Sequence, residues 1–442
     1  MSEPAPNQFA LLKTRRFLPL FLVQFLGAFN DQTYQKAFLA LITYRLADEI
    51  GMPTGILLPI SSILFILPFA IIAPSAGQLA DRRDKAVLMR YIKAWEIVLM
   101  LIACVGYYTQ NIFLLYALVF LMGAQSAMFA PIKYSVLPQY LRREELMIGN
   151  GLVQGFTFLA IIFGTIVGNE LILRDGGTLV ICIIVVVVAV IGFVASLYAP
   201  SAPPIKHVGK VDWNLARAIL TLFRECRTNR PAMRAIYAIS WFWFLGATFL
   251  TLLYPYGEEE LGVDEGVLTI LLAGFSVGVA LGAIGSGLLS RGKIDVSLPP
   301  IGAFGLAIMA VELWIATPVA PGPDTPLLNR SEFFSTFTGW RVFIDFVLIA
   351  AFAGLYVTPM NVVLQTEAPD NQRASFIALS NVVDSAAIVL NGLLVLILVA
   401  AGVKSSDILI VVTLTALPMS FLVARYAPET LYGRIALSVW PR

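Results

Sequence analysis

The chain has 442 residues, of which 58% are hydrophobic and 13% charged, and its formal net charge is +2. A soluble protein carries roughly 25% charged residues, so a string of water-soluble domains is excluded, and so small a net charge gives no footing for nucleic-acid binding. One histidine, His207, and three cysteines without short spacing, Cys104, Cys182 and Cys226, argue against a histidine-dependent enzyme, a metal centre or a disulfide framework.

The first apolar stretch covers about 17–45. Lys13, Arg15 and Arg16 precede it as in a signal peptide, but Asn30-Asp31 interrupts it and no small-x-small cleavage site follows, so it reads as a retained span. Further stretches fall at about 54–80, 86–108, 112–136, 149–172 and 177–199, and then at about 232–256, 266–290, 296–317, 339–364, 375–401 and 406–427. Such lengths suit tilted helices rather than barrel strands of ~9–11 residues. The expectation is an all-α polytopic membrane protein with twelve transmembrane helices: a six-helix half at 1–200, a cytoplasmic linker at 201–231 and a second half at 232–442.

Charge placement orients the chain. With the N-terminus inside, 22 of the 30 Lys and Arg fall in inside segments and five outside, which predicts two cytoplasmic termini. The linker carries Pro200, Pro203 and Pro204 and divides the chain almost evenly. Two echoes cross it: Phe25-Leu26-Gly27-Ala28 with Phe244-Leu245-Gly246-Ala247, and Pro131-Ile132-Lys133 with Pro359-Met360-Asn361. Both fit a six-span unit repeated in parallel orientation.

Several spans contain ionisable groups: Asp31, Lys36, Lys93, Glu96 and Lys133, then Glu312, Asp345 and Asp384. Within a bilayer each needs a partner, a wet cavity or a role. Asp31 lies deep, between Asn30 and Gln32, which favours function. Lys93 can snorkel to the surface, and Asp31 and Lys36, five residues apart, point to different helix faces. Glycines at four-residue spacing in span 5 (Gly151, Gly155, Gly164, Gly168) and span 8 (Gly274, Gly278, Gly282) mark close helix contacts, either a sliding seam between the halves or static packing.

Between spans 2 and 3, Gly77-Gln78-Leu79-Ala80-Asp81-Arg82-Arg83-Asp84-Lys85 resembles the G-x-L-a-D-R-x-G-R-R loop of the major facilitator superfamily, with Asp84 in place of the family's glycine. The resemblance implies that fold and a conformational gate at Gly77, Asp81, Arg82 and Arg83. There the aspartate either caps the next helix or pairs with a base across the halves.

Two segments narrow the resemblance. Gln24-Phe25-Leu26-Gly27-Ala28-Phe29-Asn30-Asp31-Gln32, and Gly123 to Tyr134 continuing through Leu137-Pro138 and Glu145-Leu146 to Gly149-Asn150-Gly151-Leu152, look like the bacterial lysophospholipid transporter family. That family consists of flippases working with a cytoplasmic acyltransferase, which is sometimes fused to the transporter. The resemblance implies a multi-pass protein of the bacterial inner membrane that is not an enzyme and needs no cofactor. Its substrate would be a lysophospholipid such as lysophosphatidylethanolamine, moved from the outer to the inner leaflet for re-acylation. Carried over, the substrate site falls on Asn30, Asp31, Lys133, Asn150 and Gln154; Gln32 and Gln154 depart from the family's asparagine and acid.

Lys133 would bind a phosphate as a point charge and Asp31 an ethanolamine ammonium, while Trp241, Phe242, Trp243 and Phe244 either flank a tail or pack. Two other readings stand beside the flippase. One is an ion-coupled transporter of a small soluble metabolite or drug, with Asp31, Glu312 and Asp384 as proton carriers. The other is a transport-inactive anchor for an acyltransferase.

Overall fold

The protein is described here from a computed structural model covering residues 8–46, 54–205, 211–318 and 326–424. His207, Lys206, Lys210 and both chain ends, including Arg425, Arg434 and Arg442, lie outside the described residues.

Twelve helical spans follow one another: α1 (Leu18–Leu41), α2 (Thr54–Ile71, continuing as Ala73–Arg82), α3 (Lys85–Thr109), α4 (Ile112–Tyr140), α5 (Leu146–Ile172) and α6 (Gly177–Leu197). A linker helix, Leu215–Cys226, precedes α7 (Arg230–Pro255), α8 (Glu265–Leu289), α9 (Leu298–Ala316), α10 (Phe337–Glu367), α11 (Arg373–Ala400) and α12 (Ser405–Leu414 with Ala416–Ala424). Among the described residues, nine helices are long and apolar enough to cross a membrane, or ten with the two segments of α2, which meet at a 46° bend. The remaining two, α1 and α3, are long enough but carry the charges singled out above: Asp31 and Lys36, Lys93 and Glu96. The bend in α2 falls beside Pro74, which has no N–H to donate to the preceding turn.

Side-chain caps start many of these helices. Asp84, Asn111, Asn229, Asp264 and Thr336 each accept a backbone N–H from the first turn of the following helix, satisfying donors that lipid could not. Asp84, the departure from the loop pattern, is thus a helix cap, and it also accepts from Ser201 and from the Ala202 N–H.

Three buried clusters show how the halves meet. One belongs to the second half and one, around Tyr34, Phe38, Tyr107 and Ile181, to the first half alone. The third joins Phe17, Leu20, Ala80 and Ile132 to Leu298, Leu355, Val362 and Ala374. The halves therefore share a core at the end of the bundle where the linker lies, and separate towards the other end.

The glycine faces serve mainly to pack each half. A Cβ on Gly164 or Gly168 would meet α1 backbone at 2.5 Å, and one on Gly278 or Gly282 would meet α10 backbone at 2.3 and 1.8 Å. Only Gly151 and Gly155 press against α8, near Ala283 and Ala280. Of the two readings, static packing within a half describes most of both stripes, and a face between the halves is formed at Gly151 and Gly155.

Gly282→Val is expected to destabilise the second half by about 1–3 kcal/mol, as overpacking does. This should lower the melting temperature in detergent, whereas Gly285→Ala, which meets nothing within 4 Å, should leave it unchanged.

Candidate transport site

Between the halves, away from the shared core, lies a cavity of two joined chambers. The polar chamber has a volume of about 240 Å³ and the apolar one about 480 Å³. Gln32, Phe65, Phe69, Phe158, Ile161, Trp243, Asn381 and Asp384 line both.

The polar chamber is built on α1 and α4. Asp31 accepts a hydrogen bond from Ser126 Oγ at 2.5 Å and, among the described residues, has no cation within ion-pair distance. Lys133 lines the same chamber; its ammonium lies 4.7 Å from the centre of the Tyr134 ring and makes no ion pair among the described residues. Tyr134 donates to Gln154 Oε1 at 2.7 Å, which fixes Gln154 at the wall. Asn361 of α10 also lines this chamber, so the two members of one internal echo, Lys133 and Asn361, face one cavity from opposite halves.

Lys93 does not snorkel. It is 1% exposed and pairs with Glu96 at 2.5 Å, while the carboxylate also accepts from Asn30 and Gln125 at 3.0 Å each. Gly27 makes room for it: a Cβ there would stand 2.7 Å from Lys93 Nζ. Asn30, expected at the substrate site, is thus spent on Glu96 and does not line the cavity. Asn150 does not line it either. Its amide and that of Gln365 bond reciprocally at 2.9 and 2.7 Å, tying α5 to α10 across the halves.

In the second half, Asp384 accepts from Ser240 Oγ at 2.6 Å, repeating the arrangement of Asp31 with Ser126. Glu312 pairs with Arg341 and Asp345 is buried nearby; neither lines the cavity. Lys36 lines the apolar chamber rather than the polar one, as its spacing from Asp31 predicts. Of the aromatic cluster, Trp243 lines both chambers and Phe242 the apolar one. Trp241 packs edge-on against Tyr356 at 5.1 Å, and Phe244 lies against the second-half core.

The linker-side end is shut by a clasp. Asp81, 5% exposed, accepts the backbone N–H groups of Ala374 and Ser375 at 2.9 Å each. It thus caps a helix, as the loop pattern allows, but the helix is α11 of the other half. Gly77 lets the two backbones meet, since a Cβ there would lie 2.7 Å from Ala374 O and 2.5 Å from Ala378 Cβ. Arg82 donates to Gln78 on its own helix, and Arg83 ends that helix exposed. No signal in the sequence marks Ser126, Ser240 or Gln365 as partners of these groups.

The sequence profile of the Major Facilitator Superfamily matches residues 17–392, and the chain belongs to that superfamily of membrane transporters. Its similarity is to proteins named lysophospholipid transporter LplT. With that of Photorhabdus laumondii it is 26% identical over 80% of this chain and 81% of the relative; with that of Serratia proteamaculans it is 28% identical over 88% and 90%. Among solved structures, the E. coli fucose:proton symporter FucP in its outward conformation has a TM-score of 0.69 at 14% identity, covering 94% of this chain and 100% of that one.

Asp81→Ala removes both cap bonds, a loss of about 1–2 kcal/mol on the scale of N-caps. It is expected to raise the linker-open population about 5–30-fold, read as faster maleimide labelling of a cysteine placed at Ser375, with Asp84→Ala as a control that leaves the clasp intact.

Proposed function

We propose that this chain is a flippase that carries lysophospholipids, such as lysophosphatidylethanolamine, from the outer to the inner leaflet of the bacterial inner membrane by rocking its two halves. The observation that carries this reading is the shape of the cavity. Its polar chamber presents Lys133, Asp31 and Asp384, none of them ion-paired among the described residues, beside a Lys93 that is already paired with Glu96. The joined apolar chamber, lined by Phe65, Ile66, Ile162, Ile166 and Leu250, is about twice as large. A single-chain lipid with a zwitterionic head has that same division.

Lys133 suits the phosphate as a point charge, and the acids suit the ammonium. The apolar chamber reaches both seams between the halves, through Ile162 and Ile166 of α5 with Leu272 of α8, and through Phe65 and Ile66 of α2 with Ile388 of α11. A tail can project there while the head stays enclosed. The distribution of Lys and Arg supports a cytoplasmic position for the linker side, and the names of the relatives support the substrate. In that orientation the closed clasp makes this the state open to the outer leaflet. Its product would pass to a cytoplasmic acyltransferase, either separate or fused.

The second reading, an ion-coupled carrier of a small soluble metabolite, draws on Asp31 and Asp384, two cavity acids without a cation partner. The test is inward movement of fluorescent lysophosphatidylethanolamine in sealed proteoliposomes, against its diacyl parent, with and without a proton gradient. Selective movement of the lysolipid supports the flippase; none, in folded protein, overturns it in favour of the solute carrier. Asp31→Ala and Lys133→Ala are each expected to abolish lysolipid movement while insertion and melting temperature stay near wild type. Normal flipping by both would remove these residues from the site.

A further inference from the structure

The linker between the halves holds a helix that the transport cycle described above does not use. Its sequence, Leu215–Cys226, is strongly two-sided. Ala218, Leu222 and Cys226 are buried, against the second segment of α2 and the start of α11. On the opposite face Trp213, Leu220 and Phe223 are 71%, 55% and 40% exposed, interleaved with exposed Arg217, Arg224 and Arg227.

Both ends of this segment are tied down, and to different halves. At the first end, Ser75 Oγ donates to Asp212 O at 3.0 Å and the Asp212 N–H donates to Gln78 Oε1 at 2.9 Å, both on α2. At the other end, Asn229 Nδ2 donates to Glu367 O of α10 at 2.7 Å, and Gln372, just before α11, donates to Glu225 at 3.5 Å. The helix therefore crosses the joint that Asp81 clasps. Separating α2 from the start of α11 must release one of its ends.

Three observations say what covers the exposed face. The helix ends at Cys226 and α7 begins at Arg230, so its C-terminal end stands within one turn of a membrane span. The two carboxylates of this segment are engaged, Asp212 with Arg217 at 3.6 Å and Glu225 with Gln372, whereas among the described residues Arg224 and Arg227 make no ion pair. A face of Trp, Leu, Phe and Arg at the level of the headgroups matches an anionic lipid surface in both polarity and charge.

We propose that the linker helix is an interfacial strap, with Trp213, Leu220 and Phe223 seated in the linker-side leaflet and Arg224 and Arg227 on anionic headgroups, so that anionic lipid holds the linker-side gate shut. This does not rest on the identity of the transported molecule. A transporter of any substrate with this strap would open its linker side less readily in a charged leaflet.

Cys226, fully buried beneath the strap, is the natural probe. The full chain carrying Cys104→Ala and Cys182→Ala is placed in nanodiscs of phosphatidylcholine, with and without phosphatidylglycerol, and labelled with a maleimide. Phosphatidylglycerol is expected to slow labelling, and Arg224→Gln or Arg227→Gln should each return about fivefold of that protection, the factor for one basic residue near an anionic leaflet. A labelling rate indifferent to phosphatidylglycerol overturns the proposal. A second measurement guards against misfolded variants: Trp213 fluorescence, taken as the difference between the chain and Trp213→Phe, should be quenched by brominated lipid. Quenching by aqueous iodide alone overturns the membrane as occupant and leaves the face open to a soluble protein.

Discussion

A membrane bundle has no water to spend on unpaired polar groups, and that constraint organises this protein. Its charges divide by how they meet it. Lys93 and Glu96 neutralise each other within the first half, and Arg16 makes a two-pronged contact with Glu145 at 2.7 and 2.6 Å. Asp81 and Glu260 are satisfied by backbone N–H groups at helix starts. Of the span charges without an ionic partner among the described residues, Asp31, Lys36, Lys133 and Asp384 line the cavity, and Asp345 is buried outside it. Pairing elsewhere therefore concentrates the unpaired charges at the cavity, where a ligand or water can reach them, with Asp345 the exception.

The same accounting explains where the molecule can move. Inside each half, helices approach until backbone touches backbone, as at Gly168 with Thr33 O and Gly282 with Ala351 O. Between the halves the contacts are the Asp81 cap, the Asn150–Gln365 amide pair, the packing of α5 along α8, tightest at Gly151 and Gly155, that of α11 against α2 and α4, and one shared apolar cluster. The cap, the amide pair and the cluster lie towards the linker side, so breaking them opens that end without disturbing either half.

Most of the fold could be read from the sequence because span length, glycine and proline placement and charge asymmetry are local signals. The twelve spans coincide with the apolar stretches, and Gly77 and Asp81, singled out by the loop pattern, lie where the two halves touch. The site was readable only in part. Asp31 and Lys133 stood out because charge in a span is rare, but sequence does not state which face a residue presents. Asn30 looked like a neighbour of Asp31 and turned out to serve Glu96; Asn150 looked like headgroup chemistry and instead bonds Gln365. Ser126 and Ser240 gave no warning, since a lone hydroxyl in a span usually bonds its own preceding turn. Here each holds a cavity carboxylate on another helix.

The bonds that close the gate are suited to switching. Each Asp81 contact joins a carboxylate to a neutral backbone N–H, and the Asn150–Gln365 pair joins two amides. None is a salt bridge, so opening the joint leaves no pair of opposite charges to separate in a low dielectric, where such separation is expensive. The Asp81 cap is worth about 1–2 kcal/mol and the amide pair about 0.5–1.5 kcal/mol per neutral hydrogen bond, which keeps the two states within a few kcal/mol, the range in which a bound ligand can tip the balance. The strong ionic contacts lie instead within single halves, Lys93–Glu96 in the first and Glu312–Arg341 in the second. They remain intact as the halves rock. Rigid halves joined by a few bonds that break without separating an ion pair suit a transporter whose halves move against each other, and the distribution of charge along this chain builds both.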